Sequence, residues 1–345
     1  MVGPARKVSG GISMHFKSLI VGLGIAAVTL AAPVQAKPIK IGFVVATMNE
    51  ERYQKDKDYF TKGAEAQGAK VEFASADNKV DLQTSKVETL LSKGIDVLVL
   101  QPVNGEAASS VVALAKRENI PVIAYDRLIK NADIDLYVTQ DSFKVGVLQA
   151  EAAVKATGGK GNYIILMGEA GHSVADQITA GVMSVLSKNP NIKVIVKQNH
   201  PGWATSLALS TVENALTRYK NDVQAILANN DGMALGASQA LEEQKLTGKV
   251  FVAGADADLT ATKAILKGKQ SMTVLKGIKP LAEAAVKAAI QLANKQPVKG
   301  DSTMNNGKKD VAVISTEVLP VVKDTVDKVI IGNGFHTKEA VYGKS

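Results

Sequence analysis

The pattern of hydrophobic and polar positions switches many times between the spacing of a strand and the spacing of a helix. Because the two kinds of segment alternate, we expect parallel sheets whose crossovers are right-handed. Short apolar runs predict buried strands at residues 40–46, 70–74, 95–100, 121–125, 135–139, 162–167, 192–197, 223–228, 249–253 and 271–275. Amphipathic stretches predict helices, among others, at residues 50–67, 81–93, 105–118, 175–188, 204–219 and 231–245.

One structural plan is repeated along the chain, which predicts an α/β fold with two doubly wound parallel-sheet lobes. Residues 38–140 carry five predicted strands, and residues 161–275 carry five more. The tail begins with a predicted helix at 280–294, which we expect to pack back on the first lobe.

We expect the chain to cross between the lobes near residues 140, 276 and 307, which makes a multi-strand hinge. The first predicted lobe consists of residues 37–140 and 276–307. The second predicted lobe consists of residues 141–275 and 308–345. Hinged lobes of this kind close around ligands.

The first 36 residues read as a secretory signal peptide rather than as part of the fold. A basic stretch is followed by the apolar run 19–32 and by Val34-Gln35-Ala36, so we expect cleavage after Ala36 and a periplasmic protein. An uncleaved membrane anchor is disfavoured because the apolar run is shorter than the ~20 residues that span a bilayer. Met14 is an alternative start.

Composition and charge exclude several classes of function. The 41 Lys and Arg residues against 33 Asp and Glu residues give a net charge of +8, but the basic residues are scattered and no basic, aromatic run predicts nucleic-acid binding. The chain contains no Cys, which excludes disulfides and a lipid anchor on a cysteine. No motif has metal-ligand spacing or pairs a nucleophile with a base, so we expect neither a metal nor a cofactor, and no enzyme.

Polar side chains follow the predicted strands, where open parallel sheets bind their ligands. The stretch PVIAYDR at residues 121–127 ends in Asp126 and Arg127, an acceptor-only group beside a fork of donors. This pair either binds a polyhydroxylated ligand or is a solvated ion pair at the end of a strand. Comparable positions near other strand ends are those of Arg52, Asp141, Asn229, Asn230, Asp231, Asp256, Asp258 and Lys276.

Some of these residues have equally simple structural explanations. Asn230 and Asp231 are candidates for turn and cap residues, and Asp258 is a candidate helix cap. The only tryptophan, Trp203, lies in the loop sequence HPGWATS and is either a packing anchor or a stacking surface for a ligand. Because so many polar groups gather at one edge, we expect them to line a cleft between the lobes.

The chain resembles a known family from Lys40 to His336. The segments that carry the resemblance are ERYQKDKDYF, GIDVLVLQPVNG, AYDRLIKNADIDLYV, KVGVLQA, GNYIILMG, AGADADLTATK, SMTVLK and NNGKKDV. They are similar to the type I periplasmic binding proteins, the sugar receptors of ABC transporters, and most of all to the receptors for D-xylose. The resemblance implies that the pentose is contacted by Arg52, Asp126, Arg127, Asn230, Asp256 and Lys276, with Trp203 as the stacking residue.

The resemblance also implies the partners: a monosaccharide, D-xylose in the first place, and the permease and ATPase of an ABC importer, with the receptor itself a monomer. One segment, EAGHSVADQ at residues 169–177, departs from the pattern of the D-xylose receptors. His172, Ser173, Asp176 and Gln177 are candidates to replace the contacts of that loop, and of these we favour His172 and Asp176. Ribose, arabinose or a hexose therefore stays open as the ligand. Sugar-responsive regulators share the fold, but they need a DNA-binding segment where this chain has its leader.

Overall fold

The computed structural model describes residues 37–343, together with Gly3 and residues 10–13. The predicted signal peptide, residues 1–36, lies outside the described residues apart from these few positions. Within the described part of the chain, no helix combines the length and the apolar character needed to cross a membrane.

The predicted strands are confirmed as the first ten strands of the structure, with ends within two residues of the predicted ones. Three further strands follow in the tail. In chain order the strands are β1 (Lys40–Val45), β2 (Lys70–Ser75), β3 (Val97–Leu100), β4 (Val122–Tyr125), β5 (Leu136–Gln140), β6 (Gly161–Met167), β7 (Ile192–Asn199), β8 (Ala225–Ala228), β9 (Phe251–Ala253), β10 (Thr273–Lys276), β11 (Ser302–Asn305), β12 (Asp310–Thr316) and β13 (Val318–Val321).

The predicted helices are confirmed as well, with ends within three residues. The structure adds α4 and α8 between predicted elements. In chain order the helices are α1 (Glu51–Glu65), α2 (Val80–Ser92), α3 (Ala108–Arg117), α4 (Ser142–Thr157), α5 (Ser173–Leu186), α6 (Thr205–Arg218), α7 (Asp231–Glu243), α8 (Leu259–Leu266), α9 (Ile278–Ala293) and α10 (Lys338–Tyr342).

The first lobe of the structure is built on a sheet with the strand order β11-β12-β5-β4-β3-β1-β2. All neighbours are parallel except the pair β11 and β12. Successive residues of the buried strands point to opposite faces, which explains their continuous apolar sequence. One face packs against α2 and α3, and the other packs against α1 and α9.

The second lobe is built on a parallel sheet with the order β7-β6-β8-β9 and on the antiparallel pair β10 and β13. A single parallel bridge between Ala253 and Met272 links the two pieces. Helices α4 and α5 cover one face of this sheet, and α6 and α7 cover the other. The doubly wound fold predicted from the sequence is therefore present in both lobes.

The chain passes between the two lobes at three places. Gln140 of β5 leads to Ser142 of α4, and Lys276 of β10 leads to Ile278 of α9, close to the predicted crossings. The third predicted crossing, at residue 307, is wrong. Asn306 and Gly307 lie in the turn of a hairpin, and the following strand β12 pairs in parallel with β5 of the first lobe.

The third crossing therefore lies between Thr316 and Val318. Residues 310–316, which were predicted for the second lobe, extend the sheet of the first lobe. The physical reason is that an alternating sequence such as DVAVIST predicts a strand but not the sheet edge with which it pairs.

Three of the polar residues near strand ends have structural roles at the starts of helices. Asp141 caps α4, because its Oδ1 accepts the N–H of Lys144 at 2.8 Å. The cap of α7 is Asn230, whose Oδ1 accepts the N–H of Met233 at 2.9 Å. The predicted cap Asp231 is instead a buried residue of the first turn. Its carboxylate accepts hydrogen bonds at 2.9 Å from Gln270 Nε2, Thr273 Oγ1 and the N–H of Asp258.

Candidate functional site

The strand ends of the two lobes surround one cavity with about 380 Å³ of space outside the protein atoms. Both sheets turn the carboxyl ends of their parallel strands toward it, as expected for ligand sites in open α/β folds. The lining residues are Glu50, Arg52, Tyr53, Asp126, Arg127, His172, Val174, Trp203, Asn229, Asn230, Asp256 and Lys276.

Asp126 is held in place by its backbone and by its side chain. It follows β4 with a left-handed φ of 62°, which is uncommon for a residue with a side chain, and its N–H donates to Val138 O at 2.8 Å. Its Oδ2 accepts from Gln101 Nε2 at 2.9 Å. Burial alone would raise the pKa of Asp126, but the positive charge of Arg52, with smaller contributions from Lys276 and Arg127, holds the pKa well below its usual range. Asp126 is therefore an ionised acceptor.

Arg52 lies in the first turn of α1 and connects the carboxylates of the site. Its Nη2 is 3.2 Å from Asp126 Oδ1, and its Nη1 is 3.9 Å from Asp256 Oδ1 of the second lobe. Its Nε donates to Asp56 Oδ2 at 3.4 Å, and Asp56 in turn accepts from the hydroxyl of Tyr125. The guanidinium is thus fixed by the first lobe and reaches across the cavity to the second.

Arg127 is also held by the first lobe. Its Nη2 donates to the hydroxyl of Tyr53 at 2.8 Å, and its Nη1 donates to Pro102 O at 3.2 Å. Its Nε is buried and has no hydrogen-bond partner in the protein. The N–H of Nε is therefore available to a ligand.

The second lobe provides a carboxylate in the position equivalent to Asp126. Asp256 follows β9 with a φ of 100°, and its N–H donates to Val274 O at 2.9 Å. Its Oδ1 is 3.4 Å from Lys276 Nζ, the last residue of β10. Nearby Asp258 does not line the cavity; burial and the negative charge of Asp256 raise its pKa to about 7.

Trp203 closes a short 3₁₀ turn, Pro201–Trp203, and packs directly on Gly168. A Cβ atom at residue 168 would lie 2.5 Å from three carbon atoms of the indole, so only glycine fits beneath the ring. The ring of His172 stands nearly perpendicular to the indole, with 5.1 Å between the centroids. The indole is thus supported from two sides, as a stacking surface for a sugar would require.

His172 is a neutral hydrogen-bond donor. It lies at the cap position of α5, where its Nδ1 accepts the N–H of Val174 at 3.3 Å. Burial lowers the pKa of His172 well below its ordinary value, and the positive charge of Arg127 lowers it further. The proton of the neutral ring is therefore on Nε2, which is buried and has no partner in the protein.

The structure brings together all but one of the residues predicted for the site. Asp176, the exception, is exposed on α5 and does not line the cavity, because the first turn of this helix turns its neighbour Val174 inward instead. The lining residues that the sequence analysis did not name are Glu50, Tyr53 and Val174. The only signal for Glu50 is its position between β1 and α1. Asn229, which directly follows β8, was named as a polar residue near a strand end but not among the pentose contacts.

The cavity contains an unusual set of buried polar atoms without hydrogen-bond partners. Most buried polar atoms in proteins are paired, so such a set points to a ligand that pairs with them. The acceptors are Glu50 Oε2, Asp126 Oδ1 and Asp256 Oδ1. The donors are Arg52 Nη2, Arg127 Nε, His172 Nε2 and Asn229 Nδ2. Three of these atoms form no hydrogen bond but lie in ion pairs: Asp126 Oδ1 is 3.2 Å from Arg52 Nη2, and Asp256 Oδ1 is 3.4 Å from Lys276 Nζ.

This arrangement suits a small molecule with several hydroxyl groups, since each hydroxyl can donate to one of these atoms and accept from another. Among residues 37–343 and the few others described, no group of three or more His, Asp or Glu side chains is arranged to hold a metal ion.

Comparison with known proteins gives the family. The family model described as "Periplasmic binding protein domain" matches residues 41–297. D-xylose-binding periplasmic proteins are 42% identical, with 95% of this chain and 100% of the relative covered for Haemophilus influenzae, and 94% and 98% for Escherichia coli. A carbohydrate transporter solute-binding protein from Chloroflexus aurantiacus, solved with D-glucose, superposes with a TM-score of 0.82 at 30% identity, covering 88% of this chain and 98% of its own. The chain belongs to the periplasmic binding protein family.

Proposed function

We propose that this protein is the periplasmic receptor of an ABC sugar importer, which binds D-xylose between its lobes and delivers it to the membrane permease. The observation that carries the proposal is the set of unpaired donors and acceptors around one cavity, beside a supported indole ring. The names of the relatives at 42% identity supply the sugar.

The proposed contacts come from both lobes. Ionised carboxylates and guanidinium groups form stronger hydrogen bonds with hydroxyls than neutral partners do. The apolar face of the sugar ring would lie on the indole. The contacts that we propose are Arg52, Asp126, Arg127, His172, Trp203, Asn230, Asp256 and Lys276.

The two lobes already touch at the rim of the cavity, which supports closure around the ligand. The N–H of Leu128 donates to Ser173 Oγ at 3.0 Å, and the N–H of Leu259 donates to Glu51 Oε2 at 3.3 Å. Each bond joins one lobe to the other. We propose that a monomer in this closed form docks on the permease, and that the sugar is released unchanged.

A second candidate is a receptor of the same class for another monosaccharide, such as ribose, arabinose or a hexose. The observation that favours it is the loop at residues 169–177. This loop departs from the D-xylose receptors and supplies His172 to the cavity. A solved structure of this fold with D-glucose shows that a hexose is bound by a protein of similar architecture.

Calorimetric titration with a panel of aldoses tests the proposal. We expect D-xylose to bind more tightly than D-ribose, L-arabinose and D-glucose, and we expect the sugar to be recovered unchanged after incubation. No heat with D-xylose together with tight binding of another aldose would favour the second candidate. Conversion of the bound sugar to a product would contradict the receptor function.

A further inference from the structure

Glu50 is a half-buried residue with one buried carboxylate oxygen, for which the fold itself has no evident use. It precedes α1 at the cap position, yet its side chain caps no N–H of the helix. Its backbone carbonyl accepts the N–H of Tyr53 at 3.2 Å, which fixes the residue at the N-terminus of the helix. The side chain lines the cavity.

The carboxylate has a buried oxygen that no group of the protein satisfies. Glu50 Oε2 is inaccessible to water and accepts no hydrogen bond. Burial raises the pKa of Glu50, and the strongest opposing influence is the charge of Arg127. Within the described residues no Lys, Arg or His nitrogen lies within 4 Å of this carboxylate. A buried acceptor without a partner is costly unless something else pairs with it.

Arg127 forms no ion pair with Glu50, and its guanidinium is held by other groups of the first lobe. Its terminal nitrogens donate to the hydroxyl of Tyr53 and to the carbonyl of Pro102. Each terminal nitrogen carries a second N–H, but the buried nitrogen of Arg127 that has no hydrogen-bond partner at all is Nε. Nε2 of His172, from the second lobe, is another buried donor without a partner in the same cavity. The cavity thus offers these donors to a ligand besides the unpaired acceptor on Glu50.

We propose that Glu50 contacts the ligand and determines specificity by accepting a hydrogen bond from one sugar hydroxyl. The inference rests on the proposed sugar-binding function. A hydroxyl that donates to Glu50 keeps its oxygen lone pairs for a donor of the cavity. A sugar without this hydroxyl leaves a buried carboxylate oxygen unpaired and is rejected.

A cycle of protein variants and sugar analogues tests the proposal. The Kd values of D-xylose and of its 2-, 3- and 4-deoxy analogues are measured by calorimetry for the wild type and for Glu50→Gln. If another aldose binds best, its own deoxy series is used. Glu65→Gln, an exposed position at the end of the same helix, is the matched control. Thermal unfolding without sugar verifies that each variant is folded.

We expect Glu50→Gln to weaken binding of the parent sugar about tenfold, because a charge-assisted hydrogen bond becomes a neutral one. One deoxy analogue should bind the wild type weakly and lose little or no further affinity in Glu50→Gln, which identifies the hydroxyl. Glu50→Asp retains the charge but withdraws it by one methylene, and should weaken the parent sugar without changing which analogue is insensitive. Glu65→Gln should bind like the wild type.

Two outcomes overturn the inference, and they are distinguishable. If the wild type binds a sugar and Glu50→Gln binds it with unchanged Kd, or loses the same factor for every analogue, Glu50 does not contact a hydroxyl although the proposed function stands. If the wild type binds no aldose, the proposed function fails, and the role of Glu50 fails with it.

Discussion

The first lobe presents to the cavity charged side chains that other groups of the same lobe hold in place. Asp126 is fixed by Gln101, and Arg127 is fixed by Tyr53 and Pro102. The second lobe contributes more neutral groups: the indole of Trp203, the ring of His172 and the amides of Asn229 and Asn230. Its charged pair, Asp256 and Lys276, lies where it meets Arg52 of the first lobe.

This difference indicates that the two lobes have different roles in ligand binding. Polar groups that are already oriented lose little freedom when a ligand arrives, so the first lobe is prepared for the hydroxyls of a sugar before closure. The second lobe adds a stacking surface and a few hydrogen bonds when it closes. We therefore expect changes in the first lobe to affect folding as well as binding, and changes in the second lobe to affect binding above all.

Asp126→Asn is expected to have the largest effect. The change leaves Arg52 in a buried site with one of its opposite charges removed, and breaking one side of a buried pair costs about 3–5 kcal/mol. Urea denaturation without sugar should show a fall in the free energy of unfolding of about 3 kcal/mol. Asp256→Asn is the matched change in the second lobe, where the carboxylate is more exposed (16% against 3%). Equal losses of unfolding free energy in the two variants would contradict the different roles of the two lobes.

Trp203→Ala is expected to act mainly on affinity. Loss of the stacking surface should weaken sugar binding by about 1 kcal/mol or more, which is roughly fivefold in Kd. Titration of D-xylose into the variant measures this. Trp203→Phe, which keeps an aromatic face, should retain part of the affinity. A Kd equal to that of the wild type in Trp203→Ala would remove Trp203 from the site.

The sequence predicted most of the site because both lobes obey one rule. Buried strands end in polar residues at the ligand edge of the sheet, so their positions suggest Arg52, Asp126 and Asp256, and the family resemblance separates these from Asp141 and Asp258, which do not line the cavity. The same rule cannot tell an inward side chain from an outward one in the loops. Glu50 was therefore missed, although it is adjacent to Arg52, and Asp176 was included, although it is exposed.

The errors in the prediction of the fold have a similar origin. An Asp before a helix is typical of a cap, but Asp231 is buried by partners from β10 and from the loop before it, which are distant in sequence. The strand β12 was not predicted, and its pairing with β5 depends on which sheet edge is free. Local pattern predicts elements well, whereas pairing over a long separation depends on the assembled fold.

Gly168→Ala tests the role of the second lobe without removing the indole. The nearest atoms to the added Cβ all belong to Trp203, so we expect the substitution to act through that ring. The new Cβ would overlap three indole carbons at 2.5 Å, so the ring must shift. We expect a loss of affinity, because the displaced ring no longer offers its face to the sugar in the same position. In the Trp203→Ala background, Gly168→Ala should change the Kd little, and four Kd values complete the cycle. Additive losses would show that Gly168 acts by another route.

The smallest expected effect concerns the charge of His172. Burial and Arg127 lower its pKa, so the ring should stay neutral from pH 8 to pH 6, within which an unperturbed histidine with a pKa near 6.5 would become protonated. Protonation would add a cation beside Arg127 and remove the acceptor that binds the N–H of Val174, and both changes would weaken sugar binding as the pH falls. The measurement is the Kd of D-xylose at several pH values for the wild type and for His172→Gln.

The ratio of the two Kd values is the informative quantity, because Asp258, with a pKa of about 7, titrates in the same range in both proteins and its effect cancels. A neutral His172 predicts a ratio that stays constant within about twofold from pH 8 to pH 6. If His172 became charged in this range, the advantage of the wild type would shrink as the pH falls, by up to about tenfold per pH unit below the pKa of the free protein. A constant ratio would therefore mean that the second lobe offers the ligand a neutral N–H donor, in contrast to the ionised groups of the first lobe.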